Sequence, residues 1–548
     1  MKTSLLEKEW KIKSVYTTEE TLIDRICKHR DLNPDTELKE LHSPWTLKDI
    51  EKAVQRLSKA IENNERIMIF GDYDVDGVSG ASILYLGLKK LGAQVSVRLP
   101  HREKDGYGLN TKVLDESKEL GVSLLITVDC GISNVEEVKY GNKLGLEIII
   151  TDHHSIPPVL PEAYAILNPK QVNCEYPDKE ICGSVVGYKL IIALFERLNP
   201  ELNHREFIDL AALATVADCM PLKGENRYIV KEGLLQFKQT QHRGLRTLLE
   251  SYELTNPEKE IKSYHLGFNI APCINAAGRL EDPLIAFKMM MGDTEKALEL
   301  RRINNERQDV VKVALEEAMI QVERDHLEDP ILVFWADNWP PGIVGLLAGR
   351  LCERYHKPVI CLTRHEDKFV GSCRSIPQIN IVERLQANED LFLNYGGHAQ
   401  AAGLSIKEEN LEELRSRLID NINEYIKENP IIPTLSLDTE VKEKEISLEN
   451  VSALNSLEPF GMGNPKPKFL LKGVKLNFAR AVGKDKTHLQ LGINTGTQDL
   501  KGIAFQMAEH KAQLESWGEL DIVCQMNKNE FRGKTTVDLQ VLDARPSS

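Results

Sequence analysis

Between Arg66 and Pro169 the chain repeats one pattern, a short apolar run followed by a stretch long enough for a crossover helix. The runs are RIMIF (66–70), AQVSVRLP (93–100), VSLLITV (122–128), LEIIIT (146–151) and AYAIL (163–167). Several are apolar at nearly every position, as strands covered on both faces are. The pattern predicts an α/β body on a doubly wound, mostly parallel sheet. In such sheets the chemistry gathers at the C-terminal ends of the strands. Helical periodicity continues through about 183–250.

From Asp293 to His326 the chain is highly charged, helical in period and free of Pro and Gly, which predicts one long helix joining two bodies. A second, smaller α/β unit opens at ILVFWAD (331–337), has a helix near 342–354, and reaches GSCRS (371–375) and GGHAQAAG (396–403). ENPIIPTL (428–435) has the composition of a linker. Beyond it, short strands separated by Gly, Asn and Lys turns predict a β-barrel of the OB type. The expected divisions are a helical arm at 1–60, the first body at 61–285, the linking helix at 286–328, the second body at 329–430 and the barrel at 431–548.

Composition narrows this picture only in places. The 548 residues are too many for one small module, and 42% apolar with 28% charged residues is ordinary for a folded protein. Lys and Arg number 69 against 83 Asp and Glu, a formal charge of −14. That argues against coating nucleic acid by bulk charge, yet leaves carboxylates available for metal. Ten cysteines form no C-x-x-C pair, so neither a zinc ribbon nor a disulfide framework is expected. No signal-peptide core or membrane span is apparent, and a cytoplasmic location without membrane contact is the expectation.

The informative polar residues fall just after the strands. GDYDVDG (71–77) follows the first, DCG (129–131) the third and DHH (152–154) the fourth, with another acid in ATVADCMPL (214–222). Asp72, Asp74 and Asp76 alternate into Gly77. Three carboxylates so close repel one another and are costly to desolvate, which a cation offsets. Alone they also fit an Asp-rich turn and helix cap. Asp129 and Asp152-His153-His154 stand at the ends of their own strands, so the fold brings them to the same cleft. Carboxylates with imidazole suit two Mn²⁺ or Mg²⁺ ions better than zinc.

These motifs resemble those of the DHH phosphoesterase family, whose name comes from residues matching Asp152-His153-His154. GSCRS and GGHAQAAG resemble the domain associated with DHH, and EPFGMGNPKP (458–467) resembles the start of the terminal barrel in the branch that degrades single-stranded DNA from its 5′ end. The resemblance covers nearly the whole chain. It implies a two-metal exodeoxyribonuclease of repair and recombination that releases 5′-mononucleotides. Asp74 and Asp76 match the motif's metal ligands, with Asp72 as an additional acid. Asp129 matches a bridging carboxylate, and His153 and Asp218 match ligands of one ion. Asp152 matches a ligand or its anchor, and His154 a group facing the phosphate. Arg279 of INAAGRL (274–280) resembles a phosphate-binding arginine.

A terminal 5′-phosphate is expected between Ser372, Arg374 and Arg102, since guanidinium forks and a hydroxyl suit it. For Arg102 a solvated loop charge is the equal alternative. Gly397 and His398 of GGHAQAAG either let a phosphate approach or only let a helix pack closely on a sheet. In the barrel, Lys484, Lys486, His488, Lys528, Arg532 and Lys534 alternate with Phe478, Phe505 and Phe531. They suggest a single-strand track, although for any one Phe a core position is the simpler reading. The basic first half of the long helix, Arg301, Arg302, Asn304, Asn305, Arg307 and Gln308, is expected to border the gap that holds the strand. Single-stranded DNA is the expected substrate partner, with a helicase and a single-strand-binding protein as companions by resemblance.

Other members of the same family act on oligoribonucleotides, cyclic dinucleotides or 3′-phosphoadenosine phosphate, and the barrel and long helix favour a polymer over these. A pyrophosphatase is disfavoured because Phe70, not His, stands four residues before Asp74. A binding subunit that had lost its ions would lack ligands, and here every expected position is filled.

Overall fold

The computed structural model describes residues 4–17, 19–32, 38–102, 105–106, 108–531 and 533–547. The chain divides into two compact units, Leu38–Pro430 and a second made of Met1–Glu37 with Ile431–Ser548.

In the larger unit, five parallel strands run in the order Gln94–Arg98, Arg66–Gly71, Leu124–Val128, Glu147–Thr151, Ala165–Leu167. Their alternate residues feed two separate cores. Ile67, Ile69, Leu124, Ile126, Val128 and Ile149 pack with the helices Ile50–Glu62, Val75–Lys90, Gly183–Leu198 and Ile208–Ala217. Met68, Phe70, Leu125, Ile148 and Ile150 pack with the helices Thr111–Glu119 and Val135–Lys143. Covering both faces explains why the strands read as continuous apolar runs. The predicted doubly wound sheet is what forms.

The long helix spans Thr294–Gln321 and continues as a π-turn over Val322–His326. Asp293 caps it by accepting the N–H groups of Glu295 and Lys296. Its 28 residues extend ~42 Å, and one stripe is buried, including Leu300, Ile303, Asn304, Val311 and Ala318. Beyond it lies a five-stranded sheet in the order Phe392–His398, Ala401–Ile406, Lys368–Arg374, Val359–His365, Leu332–Ala336, with only the last pair parallel.

GGHAQAAG forms an antiparallel hairpin, with Gly397 opposite Ala402 and His398 opposite Ala401, and its Ala399 carbonyl accepts the Ile381 N–H at the start of helix Ile381–Gln386. Gly397 has φ +147°, and a Cβ there would sit 2.4 Å from the Ala401 carbonyl oxygen. The small residues are needed where two strands close on each other. His398 is exposed on the edge strand.

The second unit holds a closed barrel. Strands Phe469–Val482, His488–Asn494, Asp499–Ala504, Lys534–Pro546 and Leu520–Phe531 pair in turn, and the last returns to the first. Thr434–Glu440 joins its edge in parallel, and Glu9–Ser14 pairs in parallel with Thr434–Glu440. This also corrects the expected helical arm at 1–60. Helix Ile50–Glu62 packs into the first core, whereas strand Glu9–Ser14 and helix Leu22–Arg30 belong with the barrel. Arg30 fastens that helix: Nε donates to Asp438, and Nη1 donates to Asn464 Oδ1 at 2.8 Å and to the Pro465 carbonyl at 2.6 Å. EPFGMGNPKP thus supplies the socket for Arg30. Among the described residues no helix is long and apolar enough to cross a membrane.

Candidate metal centre

The first strand ends at Gly71, and Asp72 and Asp74 follow before helix Val75–Lys90 begins. Asp74 is the helix cap, with Oδ1 accepting the N–H groups of Asp76 (2.9 Å) and Gly77 (3.1 Å). Asp76 lies in the first turn, where Gly183 N–H and Ser184 N–H each reach its carboxylate at 2.7 Å. Two helix starts therefore share one carboxylate, and their positive ends face the cluster. Asp129 follows the third strand with φ +60°, a left-handed backbone that is rare outside Gly and Asn. Asp218 is the C-cap of helix Ile208–Ala217.

These ends converge. His153 Nε2 lies 3.1 Å from Asp129 Oδ1, 3.5 Å from Asp218 Oδ2 and 3.8 Å from Asp76 Oδ2. Three overlapping groups have ligand atoms within 4.8 Å of one another: Asp72, Asp74 and Asp129; Asp76, His153 and Asp218; Asp129, His153 and His154. Asp72 Oδ1, Asp129 Oδ1 and Asp218 Oδ2 are buried and accept no hydrogen bond. Burial, then the neighbouring carboxylates, pushes Asp72, Asp74 and Asp129 above the ordinary carboxylate range, and Asp218 to about 8. Buried carboxylate oxygens without donors, crowded by like charge, are what divalent cations fit.

Asp152, expected as a ligand or its anchor, lies outside these three groups. Its Oδ2 accepts Ile132 N–H, while Oδ1 accepts His153 N–H and lies 2.7 Å from His154 Nδ1. Both carboxylate oxygens therefore accept hydrogen bonds. Burial raises its pKa, but the His154 and backbone N–H bonds overcome this and hold it below the usual range. Asp152 therefore orients the histidine pair. Burial lowers the basicity of His154, but its bond to Asp152 outweighs that and raises it. The carboxylate fixes the proton on Nδ1.

The cleft has a volume of about 340 Å³ and is lined by Asp72, Tyr73, Asp74, Arg102, Asp129, His154, Ala217, Asp218, Asn275 and Arg279. Arg102 is no free loop charge: Nη2 donates to Tyr73 Oη at 3.0 Å, and the guanidinium lies 4.7 Å from the centroid of that ring. Arg279 donates Nη1 to the Gly342 carbonyl at 3.0 Å, and burial, helped by Arg102 and Arg307, lowers its pKa to about 10. Neither arginine has an ion-pair partner among the described residues.

Ser372 and Arg374 lie outside that lining, on strand Lys368–Arg374, with Arg374 Nη1 donating to Ser372 Oγ at 3.0 Å. They face the start of helix Val344–Tyr355, where a Cβ on Gly345 would be 3.1 Å from Ser372 Oγ and 3.4 Å from Arg374 Nη2. Gly397 and His398 do not line the cleft. On the long helix, Arg301 stacks on Tyr252 at 3.7 Å and Arg302 pairs with Glu306, whereas Arg307 Nε is buried without a partner. In the barrel Phe478, Phe505 and Phe531 are all exposed, which overturns the core reading of each. Arg532 lies outside the described residues.

Sequence reasoning passed over Tyr73, Asn275 and Asn168. Tyr73 sat inside GDYDVDG, and Asn275 precedes Arg279 by four residues, one helical turn, so its side chain shares that face. Asn275 Oδ1 accepts Val75 N–H at 3.1 Å. Asn168 Nδ2 donates to the His154 carbonyl at 3.0 Å and had no signal beyond following a strand.

A doubly wound body with this carboxylate–histidine cleft defines a DHH-family protein, and the family models agree. "DHH family, N-terminal domain" matches residues 66–215, "DHHA1 domain" 328–424 and "RecJ OB domain" 437–543. The single-stranded-DNA-specific exonuclease RecJ of Bacillus subtilis is 37% identical over 516 residues, covering 93% of this chain and 65% of its own length. That of Dickeya dadantii is 33% identical, covering 90% of this chain and 89% of its own. The crystal structure of RecJ from Thermus thermophilus in complex with Mn²⁺ superposes with a TM-score of 0.85 at 29% identity, over 99% of this chain and 80% of that one. The chain belongs to the RecJ family. It spans about two thirds of the Bacillus relative and nearly all of the Dickeya one.

Proposed function

We propose that this protein is a metal-dependent exonuclease that degrades single-stranded DNA from its 5′ end and releases 5′-mononucleotides. The observation that carries this is the cluster of Asp72, Asp74, Asp76, Asp129, His153 and Asp218, with three buried carboxylate oxygens that accept no hydrogen bond. Asp72, Asp74 and Asp129 would hold one divalent cation, and Asp76, His153 and Asp218 the other, with Asp129 between them. Mn²⁺ or Mg²⁺ bound there supplies Lewis acidity for in-line attack of water on a phosphodiester and charge stabilisation for the departing oxygen. Crystal structures of the Thermus relative with Mn²⁺ and with Mg²⁺ support that choice of ions.

The chain's own groups do the rest. Arg279 and Asn275 line the cleft as donors for the scissile phosphate, and His154, held by Asp152, lines it beside them. Departure of the 3′-oxygen of the terminal nucleotide needs no covalent intermediate. Arg102, fixed on Tyr73, and the Ser372–Arg374 pair would hold the 5′-phosphate, so that cleavage begins at that end. The barrel's exposed phenylalanines among lysines fit a sequence-neutral track for single strands.

The test is digestion of 5′-labelled single-stranded DNA, duplex DNA, short RNA and cyclic dinucleotides, with chelator and then Mn²⁺. Mononucleotide release from the single strand, lost with chelator and restored by Mn²⁺, is expected. Asp129→Ala should abolish it while strand binding persists. Preference for cyclic dinucleotides, or full activity in Asp129→Ala, would overturn the assignment.

A further inference from the structure

Arg279 and Asn275 belong to a longer helical rod. Ser263–His265, the π-turn Leu266–Ile270 and helix Ala271–Leu280 follow one another without a break. At the far end from Arg279 stand Tyr264 and Phe268, 62% and 68% exposed, with rings stacked 4.8 Å apart at 25°. His265 meets the Tyr264 ring edge-on at 5.9 Å. An aromatic pair one turn apart steadies a helix by only a few tenths of a kcal/mol, which gives little reason to leave two large rings in water.

Their location supplies a reason. Gly267 lies between them, and a Cβ there would be 3.4 Å from Val216 Cγ1, next in sequence to the cleft residues Ala217 and Asp218. The turn that bears the rings thus packs beside Val216, two residues before Asp218. The other end of the rod meets Gly342 through Arg279, beside the helix start that faces Ser372 and Arg374. The rod runs from the terminal-phosphate residues, past the metal ligands, to the rings. Phe268 and Arg279 are eleven residues apart, ~16 Å along a helix. From Lys262 to Leu280 there is no Asp or Glu, although the chain has 83 of them, so nothing on the rod repels a phosphate backbone. π-turns recur where helices carry function.

We propose that Tyr264 and Phe268 form a base-stacking platform at the cleft rim, which takes nucleobases on the 3′ side of the scissile bond. Every base offers a π-face, so the platform accepts any sequence. It keeps the body of the strand in line while its 5′ end is held near Arg279. The inference rests on the proposed exonuclease reading. A rod without an acidic residue that leads into a phosphate-binding cleft favours a nucleic acid over a docked protein.

The test compares wild type, Tyr264→Ala/Phe268→Ala and Phe268→Trp on 5′-phosphorylated single strands from the dinucleotide upward, in Mn²⁺. Expected is a rise in KM of about ten-fold for the double variant, confined to strands long enough to reach the rings, with kcat and dinucleotide hydrolysis kept. Phe268→Trp should retain wild-type KM. In the Asp129→Ala background, 2-aminopurine placed beyond the scissile bond should be quenched on binding, and the double alanine change should remove the quenching. An equal KM shift at all lengths, or none with quenching intact, overturns the platform. Unchanged strand kinetics with loss of a bound protein would do so too, and would assign the rings to a protein contact. Wild type that hydrolyses neither dinucleotide nor long strand would instead sink the exonuclease reading itself.

Discussion

Gly183 allows the geometry of the metal centre to be perturbed by one methyl group. It opens helix Gly183–Leu198, and a Cβ built on it lies 2.7 Å from both Cα and Cβ of Asp129 and 3.0 Å from its amide nitrogen. Carbon atoms rest at about 3.5–4.0 Å, so Gly183→Ala must drive the helix start and Asp129 apart by about 1 Å. The same residue's N–H holds Asp76 at 2.7 Å, so the displacement reaches both ligand groups. Overpacking of this kind costs about 1–3 kcal/mol of stability, whereas misplacing reacting groups by about 1 Å costs on the order of 10²-fold in rate. One turn along, a Cβ on Gly187 would meet Leu84 Cγ at 3.4 Å, an ordinary contact. Gly187→Ala is therefore the matched control, with up to ~1 kcal/mol gained from helix propensity. The assay is the initial rate of mononucleotide release across a Mn²⁺ titration, with denaturant unfolding of both variants. Gly183→Ala should lose about 100-fold in kcat while remaining folded, and Gly187→Ala should keep its rate. A wild-type kcat in Gly183→Ala would refute the claim that the position of Asp129 sets the chemistry.

Three further outcomes are expected. Tyr73→Phe keeps the ring under Arg102 but removes the hydroxyl that accepts its N–H; KM for 5′-phosphorylated strands should rise about five-fold, with 5′-hydroxyl strands unaffected. Glu225 lies fully buried and accepts Lys189 Nζ, the Tyr176 hydroxyl and His42 N–H, so Glu225→Ala should cost about 3–5 kcal/mol in urea unfolding. Burial pushes Asp105 up, but His101 N–H and Arg98 outweigh it and hold its carboxyl below the ordinary value. A depressed carboxylate stabilises above its unfolded pKa of about 3.9 and loses this as pH falls through the folded value. Titrating strand binding of the Asp129→Ala protein from neutral pH into acid should show that adding Asp105→Asn, which loosens the loop that carries Arg102, weakens binding across the whole range, whereas Asp105 itself loses its hold on Arg98 and the His101 N–H only at the acid end.

What could be read beforehand followed from local pattern. Asp74, Asp129 and His153 each fall within four residues of the end of an apolar run, and a parallel sheet gathers strand ends whatever the intervening sequence. Asp152 shows the limit. Its position was legible, but whether a carboxylate binds metal or neighbouring N–H groups depends on where Ile132 and His154 lie, which periodicity does not contain. GGHAQAAG meets a related limit: small residues mark close approach without saying whether a strand, a helix or a phosphate approaches, and here the two strands of a hairpin do. The exposed Phe478, Phe505 and Phe531 escaped because alternation in a barrel does not reveal which face is inside. Tyr264 and Phe268 carried no motif at all and became visible only when helix Ala271–Leu280 tied them to Arg279.

The parallel pairing of Glu9–Ser14 with Thr434–Glu440 has a temporal side. Glu9 faces Thr434, a separation of 425 residues (434 − 9), so this strand leaves the ribosome long before its partner exists. At about 5–20 residues per second, roughly 20–85 s pass before that partner is synthesised. Throughout that interval the larger unit can fold as its own sequence emerges, while EWKIKS waits with an unpaired edge and an exposed Trp10. Translation speed and chaperone access to the nascent chain thereby become determinants of how much complete protein a cell obtains.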